Sequence, residues 1–211
     1  MKCDFQQVQS IDLSDEVRRH SGDVTVSYKT VHGEPLMVSF YFPTDYAPER
    51  KKYPVFFFVH GGGWGGKKIF EDQESWAGDY LGYLARYYAK RGFVSVSIDY
   101  RLIRENAQPD GYQLIDLYDD CMDALEFSAE HADEYGIDVD RAVVLGESAG
   151  GYLAAAIAAF PYRRNPFKLQ LSVLVNAITA LNDGWKKAIP RESKHPLLRD
   201  LTYEERYRAL S

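Results

Sequence analysis

The stretch Gly146-Glu147-Ser148-Ala149-Gly150 decides the fold of this chain because of the sequence on either side of it. It follows a largely apolar run typical of a buried strand and leads into an alanine-rich stretch, residues 148–160, typical of a helix. Glycines two positions before and after a serine, at a strand-to-helix junction, indicate a nucleophile elbow. That turn exposes Ser148 Oγ and points the Ala149 N–H at a developing oxyanion. The competing interpretation is an ordinary helix N-cap serine.

The pattern around this stretch predicts an α/β fold with a mostly parallel sheet covered on both faces. Continuous apolar runs predict buried strands, and they alternate with segments of helical periodicity. Two β-rich runs with rough alternation at the start predict an antiparallel hairpin. The predicted strands are residues 24–30 and 36–42 of the hairpin and the buried runs 53–60, 93–100, 141–147 and 169–177. The predicted helices are 76–88, 114 to near 136, 148–160 and 202–210.

A second glycine-rich segment, His60-Gly61-Gly62-Gly63-Trp64, directly follows the first buried run. Consecutive glycines let backbone N–H groups approach a ligand oxygen with no Cβ in the way. Gly61, Gly63 and Gly66 also match the G-x-G-x-x-G pattern of dinucleotide-binding folds, with Asp99 ending the next strand. The 33 residues from Gly66 to Asp99, against about 20 in that pattern, argue against an NAD-binding domain, which stays a minor alternative.

Composition describes an ordinary globular protein. Of its 211 residues, 45% are hydrophobic and 27% charged, which excludes disordered and fibrous classes. The net charge of −6 argues against a nucleic-acid partner. The longest apolar stretch, residues 152–160, is far shorter than the roughly 20 residues that span a bilayer, so we expect no membrane span.

The cysteines indicate neither a disulfide framework nor a metal site. Cys3 and Cys121 lie 118 residues apart without a Cys/His cluster, which suits a reducing compartment. Residues 1–7 lack the apolar region of a secretory signal. We therefore expect a cytoplasmic protein without metal or cofactor, and residues 1–211 are interpreted as a single domain.

In four stretches the chain resembles the α/β-hydrolase superfamily, within its esterase and lipase group. That group includes enzymes like hormone-sensitive lipase and feruloyl or acetyl-xylan esterases. The matching stretches have the order and approximate spacing of the family, and the resemblance covers about residues 20–180. They are residues 60–64, 97–102, 135–141 and 146–151.

The resemblance implies a serine carboxylesterase acting on short-chain or carbohydrate-linked esters through an acyl-serine intermediate. Ser148 is then the nucleophile, and Gly62, Gly63 and Ala149 supply the N–H groups of the oxyanion hole. By the same resemblance His60 holds the glycine turn, and residues 99–101 form a structural network. Residues 181–211 resemble a polar cap segment.

The family needs an acid and then a histidine after the serine, and the chain leaves little room for them. Only 34 residues follow Ala177, whereas the family's last two strands and helices need about 54. The sole later histidine is His195, with Asp183 or Asp200 as candidate acids. We therefore expect a fold truncated after about the sixth strand, with impaired catalysis.

Truncation also predicts an uncovered sheet edge beside the last buried strand. A second copy of the chain or another partner is expected to cover it. The alternative to an ester hydrolase is a non-catalytic α/β-hydrolase-like protein that binds a ligand or partner through the glycine loop and this edge.

Overall fold

A computed structural model describes residues 22–65, 80–103, 112–160, 162–181 and 193–210. Within these ranges lie six strands and four helices. The strands are β1 (Val24–Val31), β2 (Glu34–Tyr41), β3 (Tyr53–Val59), β4 (Val94–Ile98), β5 (Ile137–Glu147) and β6 (Leu169–Val175); the helices are α1 (Tyr80–Ala89), α2 (Leu114–Glu130), α3 (Ala149–Ala159) and α4 (Tyr203–Leu210).

The six strands form one mixed sheet in the order β1-β2-β4-β3-β5-β6. β1 and β2 form the predicted antiparallel hairpin, and β2 pairs antiparallel with β4. Strands β4, β3, β5 and β6 are parallel neighbours. Because β3 and β5 pair with Val59 opposite Gly146, the segments that follow them leave the sheet side by side. This pairing places both glycine-rich stretches at the same edge.

The predicted burial of β3 on both faces is confirmed. Val55, Phe57 and Val59 belong to the core beneath α2 and α3, whereas Phe56 and Phe58 pack against α1 on the other face. Alternate side chains of a strand point to opposite faces, so an uninterrupted apolar run is needed where helices cover both. The predicted α/β class, with helices on both sides of the sheet, is thus confirmed.

Several boundaries differ from the sequence prediction. β5 begins at Ile137 rather than Arg141, because residues 137–138 pair with the start of β3 before a register shift at Pro54 and Val55. The predicted start of the first helix, residues 76–79, lies outside the described residues.

The prediction that β6 is buried on both faces is wrong. It is the outer strand of the described sheet, and Leu171 and Leu174 expose 56% and 42% of their surface. Val173 and Val175 are only partly buried, against the α1 side. An apolar sequence favours burial of a strand, but whether the strand is buried depends on the elements that pack beside it.

Candidate active site

Ser148 occupies the sharp turn between β5 and α3 in a strained conformation. Its φ of 52° and ψ of −114° lie outside the regions favoured by residues with a Cβ. The glycines around it are dictated by close packing. A Cβ on Gly146 would collide with the Gly150 carbonyl, and one on Gly150 would collide with the carbonyls of Val59 and His60. The local geometry is therefore that of the elbow predicted from the glycine spacing.

Backbone hydrogen bonds hold this turn against the neighbouring strand. The Ser148 N–H donates to the Val175 carbonyl at 2.9 Å. The Ser148 carbonyl accepts from Gly151 at 3.0 Å and from Tyr152 and Ile178 at 3.3 Å each. The side chain does not cap α3, so its hydroxyl is not used in the N-cap role. Ser148 thus holds the N-cap position of α3 without the side-chain hydrogen bond of an ordinary N-cap serine.

The glycine-rich loop after β3 lies against this elbow. Gly62 and Gly63 have φ values of 110° and 62°, which glycine adopts without strain, and Trp64 follows at 58°. Trp64 is buried, and its Nε1–H donates to the Ala149 carbonyl at 3.0 Å. On the other side, the Ile103 N–H donates to the Trp64 carbonyl at 2.6 Å. The loop is thus fixed both to the start of α3 and to the segment after β4.

Backbone donors remain available at the meeting point of loop and elbow. The first N–H groups of a helix have no acceptor within it, and Ala149 is the first residue of α3. Within the described part of the chain, the N–H groups of Gly62 and Gly63 donate to no backbone acceptor. The arrangement presents three candidate donors to an anionic oxygen beside Ser148.

His60 is integrated into the loop. It is buried, its Nδ1 lies 2.7 Å from the Gly61 carbonyl, and its ring stacks on Tyr100 with 4.1 Å between centroids. Tyr100 donates its hydroxyl to the His60 carbonyl at 2.6 Å, and burial raises the pKa of that phenol well above its usual value. The geometry fits the structural role that the family resemblance implied for His60.

The predicted network after β4 is an ion cluster centred on Asp120 of α2. This fully buried carboxylate accepts hydrogen bonds from the Arg101 Nε at 2.6 Å, Nη2 at 2.8 Å and backbone N–H at 3.0 Å. Lys29 of β1 donates to it at 2.8 Å. The cluster fixes the segment that carries Ile103, and through it the carbonyl of Trp64.

Glu147, the last residue of β5, faces the glycine loop. Its carboxylate lies where a Cβ on Gly61 would be, so the Glu147 side chain packs directly against the backbone of the loop. Partial burial removes water from the carboxylate and raises the pKa of Glu147 above its usual value.

The described histidines do not place a base at Ser148. His195 directs its Nε2 to Asp119 of α2 at 3.0 Å, and its Nδ1 accepts the Leu197 N–H at 3.2 Å. Asp200 is exposed and pairs with Arg199 at 3.4 Å. Asp183 lies outside the described residues. Among the described residues, Ser148 Oγ has no hydrogen-bond partner.

Sequence reasoning missed two parts of the site. It considered Trp64 only as a residue that could line an acyl or sugar pocket, and missed its bond to Ala149. A buried indole needs an acceptor for its N–H, and that signal pointed to a nearby carbonyl. It also missed Asp120, whose partners lie 19 and 91 residues away in the chain. No local pattern in the sequence marks a contact of that kind.

Solved structures of esterases share this fold. Thermogutta terrifontis esterase 2 with bound propionate is 26% identical, with a TM-score of 0.61 over 90% of this chain and 62% of that one. The same esterase phosphorylated by paraoxon is 26% identical, with a TM-score of 0.59 over 76% of this chain and 59% of that one. Together with the elbow and glycine loop, this likeness defines an α/β-hydrolase of the esterase type.

The family follows from a match over most of the chain. Residues 40–179 match the BD-FAE family model, and the chain belongs to the BD-FAE family. Carboxylesterase NlhH of Mycobacterium tuberculosis is 34% identical over 137 residues, 64% of this chain and 36% of that protein. Esterase LipI of the same organism is 31% identical over 124 residues, 59% of this chain and 34% of that protein. The chain thus spans about a third of these curated relatives.

The resemblance to esterases predicted from the glycine motifs is confirmed by these comparisons. Within the described residues, no helix is both long and apolar enough to cross a bilayer.

Proposed function

We propose that Ser148 is the nucleophile of a carboxylic ester hydrolase. The observation that carries the proposal is the strained elbow clasped by the glycine loop, with the Trp64 indole bound to the Ala149 carbonyl. This contact ties the glycine loop to the start of α3, and on this proposal the N–H groups of Gly62, Gly63 and Ala149 form the oxyanion hole beside the serine. Preorganised donors of this kind stabilise the charge that develops on the carbonyl oxygen during attack.

The reaction proceeds in two acyl transfers. Ser148 Oγ bonds to the ester carbonyl carbon while the hydroxyl proton passes to a base. The ester carbonyl oxygen becomes an oxyanion, which accepts hydrogen bonds from the three N–H groups. The carbonyl then reforms, the C–O bond to the alcohol breaks, and the alcohol leaves with that proton. Water repeats the attack on the acyl-serine, releasing the acid and restoring the hydroxyl.

The substrate class we infer is a short-chain or carbohydrate-linked ester. Its support is the solved esterase with bound propionate, a short acyl product, together with the family resemblance of the site. The backbone donors recognise the ester group common to this class.

We further propose that this 211-residue chain turns over esters poorly. Both ring nitrogens of His195 are engaged elsewhere, and a serine without a base keeps a neutral hydroxyl of ordinary nucleophilicity. The oxyanion donors remain in place without that base. Residual rate enhancement then comes from the oxyanion hole and binding alone.

Covalent labelling with a fluorophosphonate, with and without added imidazole, tests both statements. Imidazole can act as an external base, so we expect slow labelling in buffer and a marked increase on its addition, located at Ser148 by peptide mass spectrometry. The phosphorylated state of the similar esterase supports this choice of reagent. The other serines of the chain, quantified in the same digest, are the internal control.

Two outcomes would count against these proposals. Fast labelling of Ser148 without imidazole would show that a base is present and overturn the proposed impairment. If Ser148 is labelled no more often than the other serines even with imidazole present, the proposal that Ser148 is the nucleophile is rejected. The second result would favour the alternative of a non-catalytic α/β-hydrolase-like protein. In that case Ser148→Ala should leave the binding of its ligand or partner unchanged.

A further inference from the structure

A cavity of about 280 Å³ lies between α2, α3 and the end of α4, outside the oxyanion hole. Its volume is about twice that of an engineered 150 Å³ apolar cavity that holds benzene. It equals roughly nine water molecules at about 30 Å³ each, and a chain of about eight carbons, only two more than benzene, fits within it. The walls are formed by Leu114, Ile115, Tyr118, Tyr152, Ala155, Ala156, Ala159, Phe160, Ile178, Thr179, Ala209 and Leu210.

The chemistry of the walls selects an uncharged, apolar occupant. None of the lining residues is charged. Both tyrosine hydroxyls are committed to carbonyls, Tyr152 to Leu210 at 2.5 Å and Tyr118 to Phe160 at 3.4 Å. Burial raises the pKa of Tyr152 to about 12, so this hydroxyl stays protonated at neutral pH. A charged group in the cavity would lose its hydration without gaining a partner.

The alanines of α3 create this space. Leu153, Ala154 and Ile157 are the buried residues of this stretch of α3, whereas Ala155 and Ala156 are only partly buried and line the cavity. The sequence interpretation that the small residues serve close packing on the sheet therefore covers only part of the helix. Larger aliphatic side chains at the cavity-lining positions would fill the space that the alanines leave open.

The cavity begins beside the proposed nucleophile. Tyr152 and Ile178 belong to its wall, and the N–H groups of both donate to the Ser148 carbonyl at 3.3 Å. From that point α3 runs along the cavity towards Ala159. This end of the cavity wall is therefore bonded to the Ser148 backbone, one helical turn along α3 from the proposed nucleophile.

We propose that this cavity binds the hydrocarbon arm of the ester, up to about eight carbons long. This inference rests on the proposed function, since it assigns a substrate arm to the same site. An unbranched or singly aromatic arm suits a cavity lined by aliphatic and aromatic side chains, and its affinity derives from removal of apolar surface from water.

Binding of octanoate and butanoate to the 211-residue protein, measured by isothermal titration calorimetry, tests the cavity directly. A fully buried methylene strengthens binding about fourfold, so we expect octanoate to bind at least about tenfold more tightly than butanoate. Parallel titration of 1-octanol compares the two sides of an ester. The tighter ligand of the two assigns the cavity to the acyl or to the alcohol arm, and either assignment supports the site.

Variants locate the bound chain. Ala156→Phe fills the cavity and should weaken octanoate binding at least about tenfold, whereas the matched Ala158→Phe, on the exposed side of the same helix, should not. Thr179→Trp places an indole at an exposed position of the cavity wall and should also weaken octanoate binding. This variant tests the site even if Ala156→Phe fails to fold. Equal binding of both acids, or octanoate binding that Thr179→Trp leaves unchanged, would overturn the proposal.

The outcome is independent of the labelling experiment. Ser148→Ala should retain octanoate binding, because the cavity does not use the hydroxyl. Loss of octanoate binding with normal imidazole-dependent labelling would reject the cavity alone. Normal octanoate binding without labelling would reject the nucleophile alone.

Discussion

At the scale of single residues, the central feature is the backbone strain at Ser148. A non-glycine residue with φ of 52° and ψ of −114° is held there only by its surroundings. Those surroundings are the bonds to Val175 and Ile178 and the packing of Gly146 against Gly150. The strain is the cost of presenting a side chain at the tip of the turn.

Replacing Ser148 with glycine, but not with alanine, should relieve the backbone strain at this position. We expect Ser148→Gly to be more stable than Ser148→Ala by about 1 kcal/mol, because glycine avoids a strain of roughly 1–3 kcal/mol but loses more chain entropy on folding. Urea unfolding of the two variants gives the difference directly, since both lack the hydroxyl.

Ser27 in β1 provides the matched comparison. Its φ is not among the positive values in the structure, so Ser27→Gly should be less stable than Ser27→Ala. If glycine is also the less stable choice at position 148, the elbow stores no strain in the folded protein.

At the scale of elements, one buried carboxylate joins three of them. Asp120 of α2 holds Lys29 of β1 and Arg101 after β4, and the segment after β4 in turn holds the loop that carries Trp64. The two contacts of Asp120 are charge-assisted hydrogen bonds to a fully buried carboxylate, and the contact to the Trp64 loop is a backbone hydrogen bond. The position of the glycine loop, with two of the proposed oxyanion donors, therefore depends on a helix that contributes no residue to it.

Removing this carboxylate should cost more than removing a neighbouring one. Asp120→Asn removes the fully buried charge between Lys29 and Arg101, which keep only the more exposed carboxylates of Asp123 and Asp116 as ionic partners. We expect a loss of about 3 kcal/mol or more in the free energy of unfolding. Asp123→Asn, which removes a more exposed partner of Lys29 and Arg163, should cost about 1 kcal/mol. If both variants lose the same free energy of unfolding in urea, the burial of Asp120 does not strengthen its contribution to stability.

At the scale of the whole molecule, the two edges of the described sheet differ in protection. β1 carries Lys29 and an irregular register between Ser27 and Lys29, both of which discourage further pairing. β6 has the sequence Leu-Gln-Leu-Ser-Val-Leu-Val, without charge or proline, and exposes Leu171 and Leu174. An apolar, uncharged edge of this kind invites another strand.

The 211-residue protein should therefore associate through β6 as its concentration rises. We expect the double variant Leu171→Lys with Leu174→Lys to shift the sedimentation-velocity profile towards monomer, because charge on an edge strand opposes pairing. Thr25→Lys on the exposed face of β1 is the control and should not change it. Association that persists in the double variant would place the contact elsewhere on the molecule.

The sequence alone determined the α/β class, the antiparallel hairpin and the elbow at Ser148. These features follow from local physics: apolar periodicity, glycine spacing and the steric demands of a tight turn. The same reasoning located the glycine loop, because consecutive glycines remove every Cβ from a stretch of backbone.

Only the tertiary structure decided which distant groups meet. It directed His195 to Asp119, brought Asp120 to Arg101 and Lys29, placed the Trp64 indole on the Ala149 carbonyl, and left β6 exposed at the edge. These contacts join residues separated by up to 91 positions, and their geometry depends on how helices and strands pack. Residue spacing along a chain carries no direct measure of that packing, so these parts of the site became visible only in the folded protein.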